Sequence, residues 1–168
     1  MRVLHFAGPS GSGKTRLIEA LIPLLPVVQV IKWTHHALPS DPPQSDTGRF
    51  AKLGPATLLA APNGIVDRRP PSSRESVYQT AAAQWHAQAL VIVEGDKGSP
   101  RPKIWIGRDL PPVVLSVRGV IGPQRPPGSI PWFDSPVPLP PDSIKQIAAH
   151  LAQEWMRYSY EVRGGQAQ

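Results

Sequence analysis

Gly8-Pro9-Ser10-Gly11-Ser12-Gly13-Lys14-Thr15 is the stretch that decides the fold. It matches the pattern G-x-x-x-x-G-K-[ST] at every fixed position, and each fixed position has a physical task. Glycines at 8, 11 and 13 let the backbone turn without a Cβ, so that its N–H groups can approach phosphate oxygens. Lys14 can reach the β- and γ-phosphates as a point charge, and the Thr15 hydroxyl can serve Mg²⁺. The helix that follows points its positive end at the same anion. Ser10, Gly11, Ser12, Gly13, Lys14, Thr15 and Arg16 are therefore the phosphate-side candidates.

The flanks support the motif. Before it, Val3-Leu4-His5-Phe6-Ala7 is a short apolar run suited to a buried strand; after it, Leu17, Ile18, Leu21, Ile22 and Leu25 fall at helical spacing. Working outward, the sequence predicts strands at about 2–7, 27–32, 56–60, 89–93, 103–106 and 113–117. Helices are predicted at about 14–25, 47–53, 73–86 with Ser73 as cap, and 142–157 with Asp142 or Ser143 as cap. Strands alternating with helices predict an α/β P-loop NTPase, a mostly parallel sheet with helices on both faces. Residues 1–157 are expected to form a single nucleotide-binding domain, and 158–168 a frayed tail.

Composition bounds the answer. At 168 residues the length suits one domain, and the lack of Cys excludes disulfides, thiolate zinc sites and a Cys nucleophile. No apolar run is long enough to span a bilayer, and the N-terminal run reads as a core strand rather than a leader. The expectation is a cytoplasmic protein that uses no membrane. The net charge of +6 could suit nucleic acid, but the basic residues are scattered and Arg68-Arg69 is the only adjacent pair. No nucleic-acid partner is expected. The 22 prolines cluster at loop positions, most densely in 123–127 and 136–141.

Three further elements carry chemistry. Leu90-Val91-Ile92-Val93-Glu94 places Glu94 at the end of a buried strand, where a P-loop protein keeps the acid that serves Mg²⁺ or orients water. Lys32-Trp33-Thr34-His35-His36 ends another strand, delivering Lys32, His35 and His36 to the ligand edge of the sheet. Asp46, at the start of the 47–53 helix, reads equally as a second Mg²⁺-side acid or a helix cap. After Glu94, Lys97, Arg101 and Lys103 make a basic loop fit to meet a second anionic substrate. The strands at 103–106 and 113–117 read as a ribbon with a Pro-containing turn, whose edges could pair with another chain.

Taken together, GPSGSGKT, IKWTHH, SDTGRFAKLGPA and LVIVEGDKGSPRPKI, in that order, resemble the molybdopterin-guanine dinucleotide biosynthesis adaptor family, the MobB type. The resemblance runs from the first strand to about residue 106. It implies a weakly hydrolytic GTP-binding protein that assists the molybdenum cofactor guanylyltransferase in attaching GMP to molybdopterin, and it implies a homodimer. Carried over by position, Gly11 to Thr15 would hold GTP, Thr15 and Glu94 would serve Mg²⁺ with Asp46 beside them, and Lys32, His35, His36 and Lys97 would line the site. Glu94 and Asp46 are the candidates for any hydrolytic chemistry. The chain departs from the family in carrying Asp96 beside Glu94, and in lacking an acid after 113–117 that would read a base. The guanine motif N-K-x-D is absent, so GTP over ATP is implied by resemblance alone. The rival reading from the same P-loop is a small-molecule kinase transferring a γ-phosphoryl group, with Arg68, Arg69 and Arg74 as lid candidates.

Overall fold

The computed structural model of the chain describes residues 1–26, 28–33, 58–61, 64–67, 73–85, 90–111 and 116–162. The chain divides into two compact units. The first comprises Met1–Thr34 with Ala82–Gln168, and the second His35–Ala81.

In the first unit, the strands β1 (Arg2–Ala7), β2 (Val28–Lys32), β5 (Leu90–Glu94), β6 (Lys103–Ile106), β7 (Val117–Ile121) and β8 (Trp132–Phe133) form one sheet in the order β2-β5-β1-β6-β7-β8. Every pairing along that order is parallel. The run Leu90–Val93 is buried throughout, as a central parallel strand must be. A last strand, β9 (Tyr160–Glu161), runs antiparallel to β1, pairing Arg2 with Glu161 and Val3 with Tyr160.

Two helices flank the sheet: α1 (Lys14–Leu21) and α3 (Pro141–Tyr158). Leu17, Ile18 and Leu21 of α1 and Ile144, Ile147, Ala148 and Leu151 of α3 join Leu4, Phe6, Ile92, Ile104 and Ile121 in one buried cluster. The two helices therefore share a face of the sheet. Ala7, Trp105, Val117 and Val120 form a separate buried cluster with Leu110, Ile130 and Trp132 packed against it. In the second unit, β3 (Leu58–Ala61) and β4 (Gly64–Asp67) make a separate two-stranded antiparallel sheet. The helix α2 (Arg74–Gln84) follows, and Ser73 caps it as expected: Ser76 N donates to Ser73 Oγ at 3.0 Å, and Ser73 N donates to Ser76 Oγ at 3.1 Å.

Several boundaries differ from the sequence expectation, each for a physical reason. The first helix stops at Leu21 and passes into a 3₁₀ turn, Ile22–Leu24, because Pro23 cannot continue the ladder. The last helix begins at Pro141 after an extended Pro140, with no side-chain cap from Asp142 or Ser143. The strand expected at 113–117 lies at Val117–Ile121, while 112–115 fall outside the described residues. Gly119 makes that placement possible: a Cβ there would come 3.2 Å from Cε1 of Tyr158.

The ribbon reading of β6 and β7 is also corrected. They are parallel neighbours inside the sheet, so neither presents a free edge. The frayed tail is corrected for its first part. Tyr158 closes α3, Tyr160 pairs with β1, and Val162 is buried. The Met1 amino group donates to Val162 O at 3.0 Å, and Arg2 Nε donates to Ser159 Oγ at 3.0 Å. Residues 163–168 lie outside the described residues.

Removing residues 159–168 should therefore destabilise the protein. Burying Tyr160 and Val162 contributes about 3 kcal/mol or more, which lowers Tm by roughly 6–12 °C for a chain of this size. A thermal melt that is unchanged by the truncation would mean that the tail is frayed after all.

Candidate functional site

The parallel register brings the site together. Glu94 of β5 lies opposite Phe6 of β1 on one side and Lys32 of β2 on the other, so three carboxyl strand ends meet at one level. The glycine loop leaves β1 two residues beyond Phe6. Open α/β sheets bind ligands at this edge.

Glycine is obligatory at both ends of the loop. Gly8 has φ +152°, and a Cβ there would lie 2.0 Å from the carbonyl oxygen of Ile106. Gly13 has φ +96°, and its Cβ would meet the Leu139 side chain at 3.1 Å. The loop is thus wedged between β6 and the segment that leads into α3. Leu139 N also donates to Ser12 O at 3.4 Å.

Helix α1 starts at Lys14 with Gly13 as N-cap, no side-chain cap bond and no acid in its first turn. Its leading amides have no intrahelical acceptor, and no capping side chain neutralises the positive end. That combination suits an anion. Lys14 is 8% exposed and donates to Pro9 O and, at 3.1 Å, to Ser12 Oγ, so its ammonium lies across the loop it serves. Burial holds its pKa below the ordinary lysine value; Glu94 opposes the shift, and the positive charges of Lys97 and Lys32 add to it. Among the described residues, Lys14 thus feels two further ammonium groups and the Glu94 carboxylate, a balance that favours an anionic ligand.

Glu94 is the hub of the opposite wall. Its Oε1 accepts the Thr15 hydroxyl at 2.9 Å, and its Oε2 lies 3.7 Å from Lys32 Nζ. A hydroxyl and a carboxylate at one point are hard oxygen donors, the type Mg²⁺ takes when phosphate and water complete its shell. Thr15 and Glu94 fit that ion and would hold it. No group of three or more metal-binding side chains occurs among the described residues.

The sequence-nominated residues thus separate. Lys14, Thr15, Lys32 and Glu94 converge on one site. Ser10, Gly11 and Arg16 are exposed on the loop and first helical turn, whereas Ser12 is buried with its hydroxyl taken by Lys14. Lys97 is exposed on the loop after Glu94. His35, His36 and Asp46 lie outside the described residues. Lys103, expected on a basic loop surface, is instead 5% exposed and gives its ammonium to the carbonyls of Ser99 and Lys97. It shapes the loop rather than meeting a ligand. Arg101 stacks over Tyr160 with 5.6 Å to the ring centroid.

The sequence reading missed His5. It is fully buried in β1, and its Nε2 lies 2.8 Å from Gly95 O. Burial drives its pKa down to about 4, against which the Gly95 bond works; Lys103 and Arg101 add to the lowering. The ring is therefore neutral, with Nε2–H donating to Gly95 O. That bond fixes the residue next to Glu94, where Gly95 at φ +102° packs against the Trp33 carbonyl. A polar residue inside the apolar run Val3–Ala7 was the available signal.

Comparisons with known proteins bear on the family and the fold. A family model, "Molybdopterin guanine dinucleotide synthesis protein B", matches residues 3–116. The molybdopterin-guanine dinucleotide biosynthesis adapter protein of Haemophilus influenzae is 36% identical over 114 residues, which cover 63% of this chain and 63% of that protein. The Escherichia coli protein of the same description is 33% identical over 115 residues, covering 64% and 66%. The chain thus matches just under two thirds of the length of each. A crystal structure of molybdopterin-guanine biosynthesis protein B superposes with a TM-score of 0.59 at 22% identity, covering 90% of this chain and 99% of that one. A MobB homologue from Bacillus stearothermophilus gives 0.57 at 21% identity, covering 92% and 94%. At these identities the likeness is one of fold.

His5 makes stability pH-dependent in a defined direction. Its folded pKa of about 4 lies below the ordinary value of 6.5, so the unfolded chain binds the proton more readily. The stabilisation is complete above pH 6.5 and is lost as pH falls towards 4, by about 3 kcal/mol in all. Urea unfolding of His5→Phe should show a flatter dependence than the parent between those values. Parallel curves for the two proteins would contradict a neutral buried His5.

Proposed function

The chain belongs to the molybdopterin guanine dinucleotide synthesis protein B family, and from that membership we propose that it is a GTP-binding adaptor of molybdenum cofactor biosynthesis. In this reading it assists a guanylyltransferase in attaching GMP to molybdopterin. The observation that supports nucleotide binding most directly is the uncapped loop, Gly8–Thr15, with Lys14 folded across it and the Thr15 hydroxyl on Glu94.

The residues divide the work by their chemistry. The loop amides and the end of α1 bind phosphate oxygens, with Ser10, Gly11, Ser12, Gly13 and Arg16 as loop and first-turn contributors. Lys14 leaves Pro9 O and Ser12 Oγ for the β- and γ-phosphates. Thr15 and Glu94 would hold Mg²⁺, which would supply charge neutralisation at the phosphates. Lys32 and Lys97 contribute positive charge on the Glu94 side, and His35, His36 and Asp46 belong to the same reading by family position.

The protein is mainly an accessory factor, at most a slow GTPase. Among the described residues no arginine bonds Thr15 or Glu94, so the charge that speeds phosphoryl transfer in faster enzymes is not supplied there. Of the basic loop, Lys97 remains for an anionic pterin phosphate presented by the partner. A cytoplasmic homodimer completes the reading. The main sheet ends on β2 and β8 and the second sheet consists of β3 and β4 alone, so among the described strands pairing between copies would use one of those edges and not β6 or β7. Light scattering at about twice 18.2 kDa checks the dimer; a monomer mass at tens of micromolar with nucleotide present contradicts it.

Thermal shift with Mg²⁺·GTP tests the binding claim. At roughly 100-fold over Kd the ligand stabilises the fold by about 2.7 kcal/mol, raising Tm by roughly 5–10 °C. Lys14→Ala should remove most of that rise. An equal rise in the variant would overturn the site, and an equal rise with ATP in the parent would overturn the guanine preference.

A further inference from the structure

Strand β7 ends at Ile121 and β8 at Phe133, so the loops at the ligand edge begin at Gly122 and Asp134. The second of these, 134–140, leads straight into α3 and is built onto the phosphate loop. Leu139 is 3% exposed, donates its N–H to Ser12 O, and packs where a Cβ on Gly13 would stand. Arg108, from the loop after β6, donates to Val137 O at 2.9 Å and ties the middle of the segment to its neighbour. The Pro-rich stretch is thus a strap, anchored at 137 and 139, running from the end of β8 to the back of the P-loop.

A nucleotide whose phosphates sit on Gly11–Thr15 must extend its nucleoside away from them along the ligand edge. The Glu94 side is taken by the metal-side acid and the lysines. The other direction leads past Gly13 and the strap to the ends of β7 and β8. Guanine differs from adenine there by presenting two adjacent donors, N1–H and the exocyclic N2 amine, which one carboxylate can accept together. Between Asp109 and Asp142 the chain contains one acid, Asp134. It is the first residue after β8 and it is exposed; among the described residues no bond to its carboxylate is made.

We propose that the strap 134–140 is the nucleoside side of the site and that the Asp134 carboxylate selects guanine by accepting its N1–H and N2 amine. This rests on the nucleotide-binding reading above. Adenine has an acceptor at N1 and no amine at C2, so Asp134 leaves it unbonded and repelled. The rigidity of the strap fixes the carboxylate relative to the phosphates: prolines at 136, 138, 140 and 141 limit its backbone, and Leu139 pins it to Ser12 and Gly13.

The test is equilibrium binding of the Mg²⁺ complexes of GTP, ITP, XTP, ATP and inorganic tripolyphosphate to the parent protein and to Asp134→Asn. The parent should bind GTP roughly 10- to 100-fold more tightly than ATP, with ITP between them because it keeps N1–H and lacks the amine. Asp134→Asn should weaken GTP and strengthen XTP, each by at least about tenfold, because the Asn amide donates to the xanthine C2 carbonyl and accepts from N1–H. Tripolyphosphate affinity should not change, which also shows that the variant is folded. Unaltered GTP and XTP affinities in Asp134→Asn would overturn the assignment while leaving the phosphate site standing. Failure of the parent to bind tripolyphosphate or any nucleotide would overturn the nucleotide reading itself.

Discussion

The tight seat of the glycine loop is the constraint on which the rest of the molecule depends. At Gly8 the backbone passes so close to the Ile106 carbonyl that no side chain fits, and at Gly13 a left-handed backbone runs against Leu139, 3.1 Å from where a Cβ would stand. The first contact sets the loop against β6, and the second sets it against the strap before α3. Between these two points the chain can only turn with left-handed glycine at 11 and 13, which leaves the amides at the head of α1 facing the ligand edge. The hydrophobic packing of α1 against α3 holds both walls in place, since Leu17, Leu21, Leu139, Ile144 and Leu151 belong to one cluster. Fold and site are therefore the same object, and a residue in the core, such as Leu139, is also part of the phosphate loop's support.

Among the described residues, Glu94 is the acid set against the lysines of that seat. Glu94 pairs with Lys32 and attracts Lys14, and the lowered pKa of Lys14 follows from its burial, with Lys97 and Lys32 adding to it. In the proposed reading a polyphosphate would relieve this repulsion, and Mg²⁺ held by Thr15 and Glu94 would offset the charge the phosphates bring. His5 works from beneath. As a neutral, fully buried donor to Gly95 O, it holds the turn after Glu94 without adding another positive charge to a site already rich in them.

What the sequence made legible was local. The P-loop, its strand and helix, the buried run ending in Glu94 and the Ser73 cap are encoded within a few residues of each other. What it hid was long-range. The strand expected at 113–117 lies at Val117–Ile121, where Gly119 leaves room for Tyr158, a residue too far along the chain for any local pattern to show. Lys103 looks like a surface charge because nothing near it in sequence shows that two carbonyls close over its ammonium. Tyr160 and Val162 look like tail residues because their partners are Met1 and Val3, at the far end of the chain. The strap at 134–140 reads only as proline-rich, since its contact with Ser12 and Gly13 has no sequence signature.

The most direct test of the account is an amide NMR titration with a non-hydrolysable GTP analogue and Mg²⁺. If the uncapped loop is the phosphate site, the largest amide shifts fall on Gly11, Ser12, Gly13, Lys14 and Thr15, and the γ-phosphorus resonance moves with them. Shifts centred elsewhere, with those five amides unmoved, would contradict it.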